Sequence, residues 1–382
     1  MIKPQTLLKL TTPTYIIDEK KLIQNLEILD SVQKQTGCKI LLAQKAFAMF
    51  SLYPLIGKYL KGTTASGLFE AKLGHEEMDG ETHIFSPAYL DEEFDEIVKI
   101  CDHIIFNSFE QLKKFYSRTA DKQIGLRVNP EYSEIEHEIY NPCAKNSRLG
   151  VKLNKFLENQ ESLKDITGLH FHTMCEQNSD VLWRTVQVFD EKFGEFIKLY
   201  KNIKWVNFGG GHHITREDYD VETLVKSIMF IKDKYNVQIY LEPGEAIALN
   251  TGVLVSTVLD IIDDDELPLA ILDASAACHM PDVLEMPYRP EIFGAGKPGE
   301  KKYIYRFGGN TCLSGDIIGD YSFDEKLNAG DKIIFGDMAH YTMVKNNTFN
   351  GVKLPAIALL KQNGEIEIVR EFGYEDFKTR LS

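Results

Sequence analysis

The chain has no C-x-x-C pair: its six cysteines, Cys38, Cys101, Cys143, Cys175, Cys278 and Cys312, are scattered over 382 residues. In a long chain without a secretory signature, that scatter argues against a disulfide framework and against a structural zinc site. No apolar run approaches the roughly 20 residues that cross a membrane. The opening MIKPQTLLKLTTP (1–13) carries Lys3 and Lys9 but neither a long apolar core nor a small-residue cleavage site. No signal peptide is expected, and the expected location is the cytosol. Positive charge is in deficit, with 43 Lys and Arg against 57 Asp and Glu and a net charge of −14. That balance disfavours a nucleic-acid backbone as partner. An acidic surface is usually no more than a solvated one, yet it also draws in cationic ligands. Low-complexity linkers are absent, as are repeats beyond an alternation of strand and helix.

What is present is enough chain for two domains, with 43% hydrophobic and 26% charged residues, as in soluble globular proteins. Strand patterns fall at 39–44, 62–66, 82–86, 103–107, 123–129, 168–173, 204–208 and 238–242, with helical patterns such as 18–34, 89–101, 108–118 and 217–235 around them. Asp18 is placed to cap the first helix. Eight strands separated by helices predict an α/β fold, a (β/α)8 TIM barrel, over 18–245. The segment 130–150, PEYSEIEHEIYNPCAKNSRLG, is too long and polar for a minimal connection and reads as a surface excursion or a lid. From 246 the texture changes to short strand-like pieces (253–262, 269–275, 301–309, 332–337, 365–372) broken by Gly, Pro and Asp. These, with 1–17, predict a β domain of the sandwich or small-barrel kind.

Within LLAQKAFAM (41–49), Lys45 stands among apolar residues. The plain reading is a lysine whose stem lies on apolar surface while its ammonium reaches water. The alternative is an amine kept in a dry pocket so that it is neutral and nucleophilic. The other strand ends favour the alternative, because active sites of such barrels form at the C-terminal ends of the strands. There GLHFHT ends in His172, VNFGGGHH supplies Gly209, Gly210 and Gly211, and YLEPGEA supplies Glu242. Three glycines let a backbone approach an anion with N–H groups turned toward it, although they also make plain turns. A carboxylate facing a pyridine nitrogen keeps that nitrogen protonated and makes the ring an electron sink. A lysine for a Schiff base, a phosphate cradle, that carboxylate and a flat histidine are together the parts of a pyridoxal 5′-phosphate site. His170 and His172 share a strand face and hint at a metal, but no third ligand lies nearby. Adjacent His212 and His213 diverge, so no metal is expected. Cys312 in GGNTCLSGD and Tyr341 in GDMAHYTMVK receive no role from spacing alone.

Taken together, TPTYIID (12–18), LLAQKAFAM, LEPGEA, LDASAACHMPDVLEMPYRP (272–290), GNTCLSGD and FNG (349–351) resemble the fold-type III pyridoxal-phosphate decarboxylases over the whole chain. That group holds ornithine, diaminopimelate and carboxynorspermidine decarboxylases, and the last of these (carboxynorspermidine/carboxyspermidine) is the branch this chain is most similar to. The resemblance implies a barrel plus β domain, pyridoxal phosphate as cofactor, and a homodimer with shared active sites. It implies that Lys45 is the Schiff-base lysine, that His172 stacks on the ring, and that Glu242 meets the pyridine nitrogen. Gly209 to Gly211, the backbone from Gly244 to Ala246, and Tyr341 would hold the phosphate. Cys312, from the partner subunit, would protonate the carbanion, with Asp316 contacting the substrate amine. Two departures stand out. Ornithine and diaminopimelate decarboxylases usually carry arginine after EPG, paired with the phosphate, where this chain has Glu245. Thr173, Met174 and Cys175 replace the usual Val/Ile-Gly-Ser after the histidine. A carboxylate is repelled by a phosphate, so Glu245 is expected to turn toward a cationic substrate amine, with Asp273, His279 and Asp282 as further amine-binding candidates. Asp273 reads equally well as a loop cap. The implied activity is decarboxylation of carboxynorspermidine or carboxyspermidine, with diaminopimelate decarboxylation as the alternative. An alanine-racemase-like activity would need a second base on the opposite ring face. A non-catalytic homologue that binds a partner enzyme would be expected to lose Lys45 or Cys312.

Overall fold

The computed structural model describes residues 10–119, 121–135, 138–263 and 266–382. Residues 1–9 of the expected β domain and 136–137 of the expected excursion lie outside them. The chain divides into two compact units, one made of Met1–Gln24 with Ala248–Ser382 and the other of Asn25–Ile247. Among the described residues no helix is long and apolar enough to cross a membrane.

Strand β1 (Thr14–Asp18) leads directly into the helix Glu19–Thr36. The Lys21 N–H donates to the Asp18 carboxylate at 3.2 Å, which supplies the cap read from the sequence. Leu22, Leu26, Leu29 and Val32, at spacings of three and four, are all buried. The helix stops at Gly37, whose φ of 66° a residue with a Cβ adopts only at a cost.

The barrel unit holds β2 (Lys39–Ile40), β3 (Leu42–Ala43), β4 (Gly62–Ala65), β5 (Glu81–Phe85) and β6 (His103–Phe106), then β7 (Gln123–Arg127), β8 (Gly168–His170), β9 (Trp205–Asn207) and β10 (Gln238–Leu241). The pairs are parallel and run β2-β10-β9-β8-β7-β6-β5-β4-β3. Because β2 and β3 are two halves of one run, parted only at Leu41, the sheet comes round on itself. The eight expected strand positions are thus all present, the first of them broken in two. Inside, Leu41, Ile105, Trp205 and Tyr240 pack together. The Trp205 indole fits because its neighbours are Gly125 and Gly168: a Cβ on Gly168 would lie 2.0 Å from Trp205 Cδ2. Outside, Phe171 turns to Phe189 and Phe208 at ring distances of 4.9 and 5.1 Å.

Among its described residues the segment 130–150 holds no strand or α-helix, only turns and one short 3-10 stretch at Glu138–Tyr140. It is tied down near its start, where Glu134 receives Arg184 Nε and Nη2 at 2.6 and 2.7 Å. At its end the Gly150 N–H donates to Asn107 at 2.7 Å.

In the other unit, β11 (Gly252–Ile262), β12 (Leu269–Leu272), β13 (Tyr303–Gly308), β14 (Ile317–Phe323), β15 (Lys332–Phe335), β16 (Ala356–Leu360) and β17 (Ile366–Arg370) join β1 in one eight-stranded mixed sheet. Its order is β14-β13-β12-β11-β1-β16-β17, with β15 also paired to β11. Tyr15, Leu254, Leu272, Phe307, Tyr321 and Phe335 are central to its core.

Candidate active site

Ala43, Lys45, Thr64, Phe85, Arg127, His170, His172 and Glu242 line one pocket at the C-terminal rim of the barrel. Alternation along a strand explains the histidines: with Phe171 turned outward, its neighbours His170 and His172 face inward. Lys45 follows β3 in a turn, so its direction is set there and not by strand alternation. Ala46, Phe47 and Met49 are buried, whereas Lys45 is exposed and stands in the mouth of the pocket. The amine is nonetheless held below its ordinary value, first by its enclosure in the rim and then by the charge of Arg127.

Glu242 is 7% exposed. His170 Nε2 lies 3.2 Å from one carboxylate oxygen and Asn207 Nδ2 donates to the other at 2.7 Å. Burial by itself would raise the Glu242 carboxyl, but these partners outweigh it and hold it well below the ordinary carboxylate range. Burial moves His170 the other way, toward the neutral imidazole, which still donates one N–H. His172 is fixed through its Nδ1, which accepts the Gly210 N–H at 3.0 Å. Burial and the Lys45 charge hold it neutral as well.

The glycine run is required by close approach. A Cβ on Gly209, Gly210 or Gly211 would lie 2.5, 2.5 or 2.1 Å from the carbonyl oxygens of Phe171, Glu242 and Met174 respectively. Two of the three N–H groups expected to face an anion are engaged within the protein, however. Gly209 donates to Asn207 Oδ1 at 2.8 Å and Gly210 to His172. Gly244 seats the following turn, since a Cβ there would meet the Ala46 Cβ at 2.5 Å.

Glu245 lies beside His213, with Nε2 3.2 Å from its Oε1. On the other side of that ring, Arg216 Nη1 is 3.3 Å from His213 Nδ1. A guanidinium can only donate, so Nδ1 accepts, while Nε2 is buried beside Glu245 without a hydrogen-bond partner among the described residues. Glu176, His213 and Glu245 offer atoms within 4.8 Å of one another, a set that would suit a divalent cation.

The remaining expected site residues belong to the mixed-sheet unit. The carboxylate of Asp273 accepts Ser256 Oγ and the Thr257 N–H on one oxygen, at 2.7 and 2.8 Å, and Thr12 Oγ1 on the other, at 2.5 Å. It ties strand ends together, as a loop cap does. His279 accepts the Ser275 N–H on Nδ1, at 3.2 Å, and donates from Nε2 to the Lys353 carbonyl at 3.1 Å. Asp282 pairs with Lys345. Asp316 receives Ser275 Oγ and Thr311 Oγ1 at 2.8 and 2.6 Å and the Ala277 N–H at 3.1 Å. All four are engaged by their own unit. Cys312 is exposed, its N–H donating to Asn350 Oδ1 at 2.7 Å. Tyr341 has φ 49°, a conformation that a bulky residue holds only under constraint.

Sequence reasoning passed over Arg127. It is buried, donates from Nη2 to the His172 carbonyl at 3.2 Å, and stacks 4.6 Å from the centre of Phe85. The signal was available: an arginine between Leu126 and Val128 at the end of a strand is as incongruous as Lys45.

Residues 14–339 match the family described as pyridoxal-dependent decarboxylase, C-terminal sheet domain. A carboxynorspermidine/carboxyspermidine decarboxylase of Campylobacter jejuni is 48% identical over 97% of this chain and 99% of its own length. A carboxyaminopropylagmatine decarboxylase of Synechocystis is 42% identical over 97% of this chain and 96% of its own. The crystal structure of carboxynorspermidine decarboxylase from Campylobacter jejuni, complexed with norspermidine, superimposes with a TM-score of 0.90 at 46% identity. That match covers 97% of this chain and all of the other.

Proposed function

This chain belongs to the pyridoxal-dependent decarboxylases, and from that premise we propose that it decarboxylates carboxynorspermidine or carboxyspermidine to norspermidine or spermidine in polyamine biosynthesis. The observation that carries the choice of substrate is Glu245. Its carboxylate stands 3.2 Å from His213 Nε2, in a family position where arginine would serve a phosphate. A carboxylate on the rim, with Glu176 beside it, favours an ammonium or guanidinium group and disfavours the second carboxylate of diaminopimelate.

The residues fit pyridoxal phosphate on one arrangement: a buried carboxylate held ionised in a pocket that Lys45 and His172 also line. When bound, the cofactor supplies the electron sink for loss of CO2. Lys45 would hold it covalently, and the lowered pKa of that amine favours the nucleophilic form. His172, locked by Gly210, would present its flat face to the ring. Glu242 would keep the ring nitrogen protonated. Gly211, the Gly244–Ala246 turn and Tyr341 would contact the phosphate. Cys312, supplied by the partner subunit of a homodimer, would deliver the proton that replaces CO2. Its exposure on a glycine-bounded loop supports that role. Free, scattered cysteines are consistent with action in the cytosol.

A second reading rests on the Synechocystis relative: carboxyaminopropylagmatine ends in a guanidinium, which a carboxylate also binds. One experiment separates the readings. CO2 release is measured from carboxynorspermidine, carboxyspermidine, carboxyaminopropylagmatine, meso-diaminopimelate and L-ornithine, with Glu245→Arg in parallel. Turnover confined to the first two, reduced about tenfold or more by Glu245→Arg, is the expected result. Preference for carboxyaminopropylagmatine would establish the second reading, and turnover of diaminopimelate would overturn both. Sedimentation of the holoenzyme as a monomer would contradict the shared site.

A further inference from the structure

His170 was set aside in the sequence as half of an incomplete metal pair, and the fold gives it a different neighbour. It is 1% exposed on β8, with Nε2 3.2 Å from Glu242 Oε2. A carboxylate can only accept, so that contact requires the proton on Nε2. Nδ1, on the far side of the ring, is buried with no hydrogen-bond partner among the described residues. An N–H there would be stranded away from water, so the ring is the neutral Nε2–H form. Phe85 stacks on it at 5.6 Å and 20°, and Arg127 lies against Phe85, which holds the plane of the imidazole. Asn207 completes the arrangement: its Nδ2 donates to Glu242 Oε1 at 2.7 Å while its Oδ1 accepts the Gly209 N–H at 2.8 Å.

We propose that His170 is a positioning residue: it donates a hydrogen bond that holds Glu242 ionised, with its free lone pair turned into the pocket to accept from the ring nitrogen of the cofactor. A carboxylate has about four acceptor directions. His170 takes one on one oxygen and Asn207 one on the other, so what remains faces the cavity that Lys45 and His172 also line. A cationic imidazole would compete with the ring nitrogen for the same charge. A neutral one orients the carboxylate without neutralising it, which explains why the orphaned Nδ1 is tolerated. Burial, the Arg127 charge and the Lys45 charge all favour that neutral state against the pull of Glu242.

The proposal rests on the pyridoxal reading, and its test separates the two. Wild type, His170→Leu and His170→Gln are loaded with pyridoxal phosphate labelled with 15N in the ring, and the ring-nitrogen resonance is followed with pH. The expected result is a nitrogen that stays protonated across the working range in the wild type and in His170→Gln, whose amide N–H restores the donor. In His170→Leu it should lose its proton at lower pH. The kcat of His170→Leu should fall about 10- to 100-fold with KM nearly unchanged, as for other supporting hydrogen bonds at active centres. With a cofactor analogue carrying carbon in place of the ring nitrogen, wild type and His170→Leu should become equal. A merely structural role would leave the gap in place. A resonance and a kcat unaffected by His170→Leu would overturn the proposal while leaving the pyridoxal reading intact. Failure of the wild type to take up pyridoxal phosphate would overturn both. Should His170→Leu not fold, the 15N-histidine spectrum of the wild type decides. An Nδ1–H form of His170, or a charged ring, contradicts the proposal.

Discussion

At the N-terminal end of the barrel stand Lys39, Glu81, His83 and His103; at the C-terminal rim stand Lys45, Glu242, His170 and His172. The residue types are the same, and the two sets are wired differently. At the floor, Glu81 bonds Lys39 through one oxygen and His83 through the other, the latter at 3.0 Å. His103 lies flat on His83 with ring centres 3.8 Å apart, and Lys39 also reaches the Tyr240 hydroxyl at 3.3 Å. Each charge meets an opposite charge inside the protein. At the rim, Lys45 and Arg127 face no carboxylate at ion-pair distance among the described residues, and Glu242 is bonded by neutral donors. A buried cluster whose charges pair with one another closes the bottom of a barrel, even with His83 Nδ1 and His103 Nδ1 left without a hydrogen-bond partner among the described residues. One that leaves a cation unpaired and an anion half-coordinated is prepared for something it does not contain.

Lys45→Ala breaks the contrast most sharply. Decarboxylation should fall about a thousandfold or more, with unfolding midpoints in denaturant little changed, because the exposed side chain supports nothing else. Next in size is Gly168→Ala at the Trp205 contact. A Cβ 2.0 Å from the indole should destabilise the barrel by about 1–3 kcal/mol or more, and adding Trp205→Leu should recover part of the loss. Urea titrations of the three proteins measure both. Glu81→Gln should cost about 1–3 kcal/mol at neutral pH and leave kcat within about twofold.

The pH dependence of that last difference sharpens the comparison. Burial by itself would raise the Glu81 carboxyl, but hydrogen bonds from His83 and Lys39 outweigh it and lower it to about 2 from an ordinary 4.5. A carboxyl depressed in the folded state stabilises it above the ordinary value, and that contribution disappears as the pH falls toward the folded value. The gap between wild type and Glu81→Gln should therefore be constant above 4.5 and close as the pH approaches 2. The smallest effect belongs to the surface: removing the Lys72–Glu96 pair, 2.7 Å apart and exposed, should change stability by less than about 1 kcal/mol.

Much of this was legible in the sequence, and the rest was hidden for physical reasons. Most barrel strands announce themselves as apolar runs bounded by polar turns, whereas β4, GTTA, is legible only from its place in the strand-and-helix alternation. β14 does not, because Gly319 and Asp320 interrupt its alternation, and β16 does not, because AIALL is as much a helix composition as a strand one. That Lys45, His172 and Glu242 share a rim followed from their places at strand ends. Arg127 ends a strand in the same way and was overlooked. The engagement of Asp273 with Thr12 and Ser256, or of Asp316 with Ser275 and Thr311, could not be read, since those partners meet only once the sheet has formed. Nor could the direction of Lys45: an apolar run in sequence does not reveal which member turns out of the core.

The most direct test of the contrast is to make the same substitution at both ends and measure folding and catalysis together. Glu242→Gln should lose about a hundredfold or more in kcat for decarboxylation and, because the carboxyl it replaces is also held low in the folded protein, some stability with it. Glu81→Gln should lose stability and keep its kcat. A Glu242→Gln protein that turns over normally, or a Glu81→Gln protein that is stable yet inactive, would contradict the division of the barrel into a structural floor and a catalytic rim.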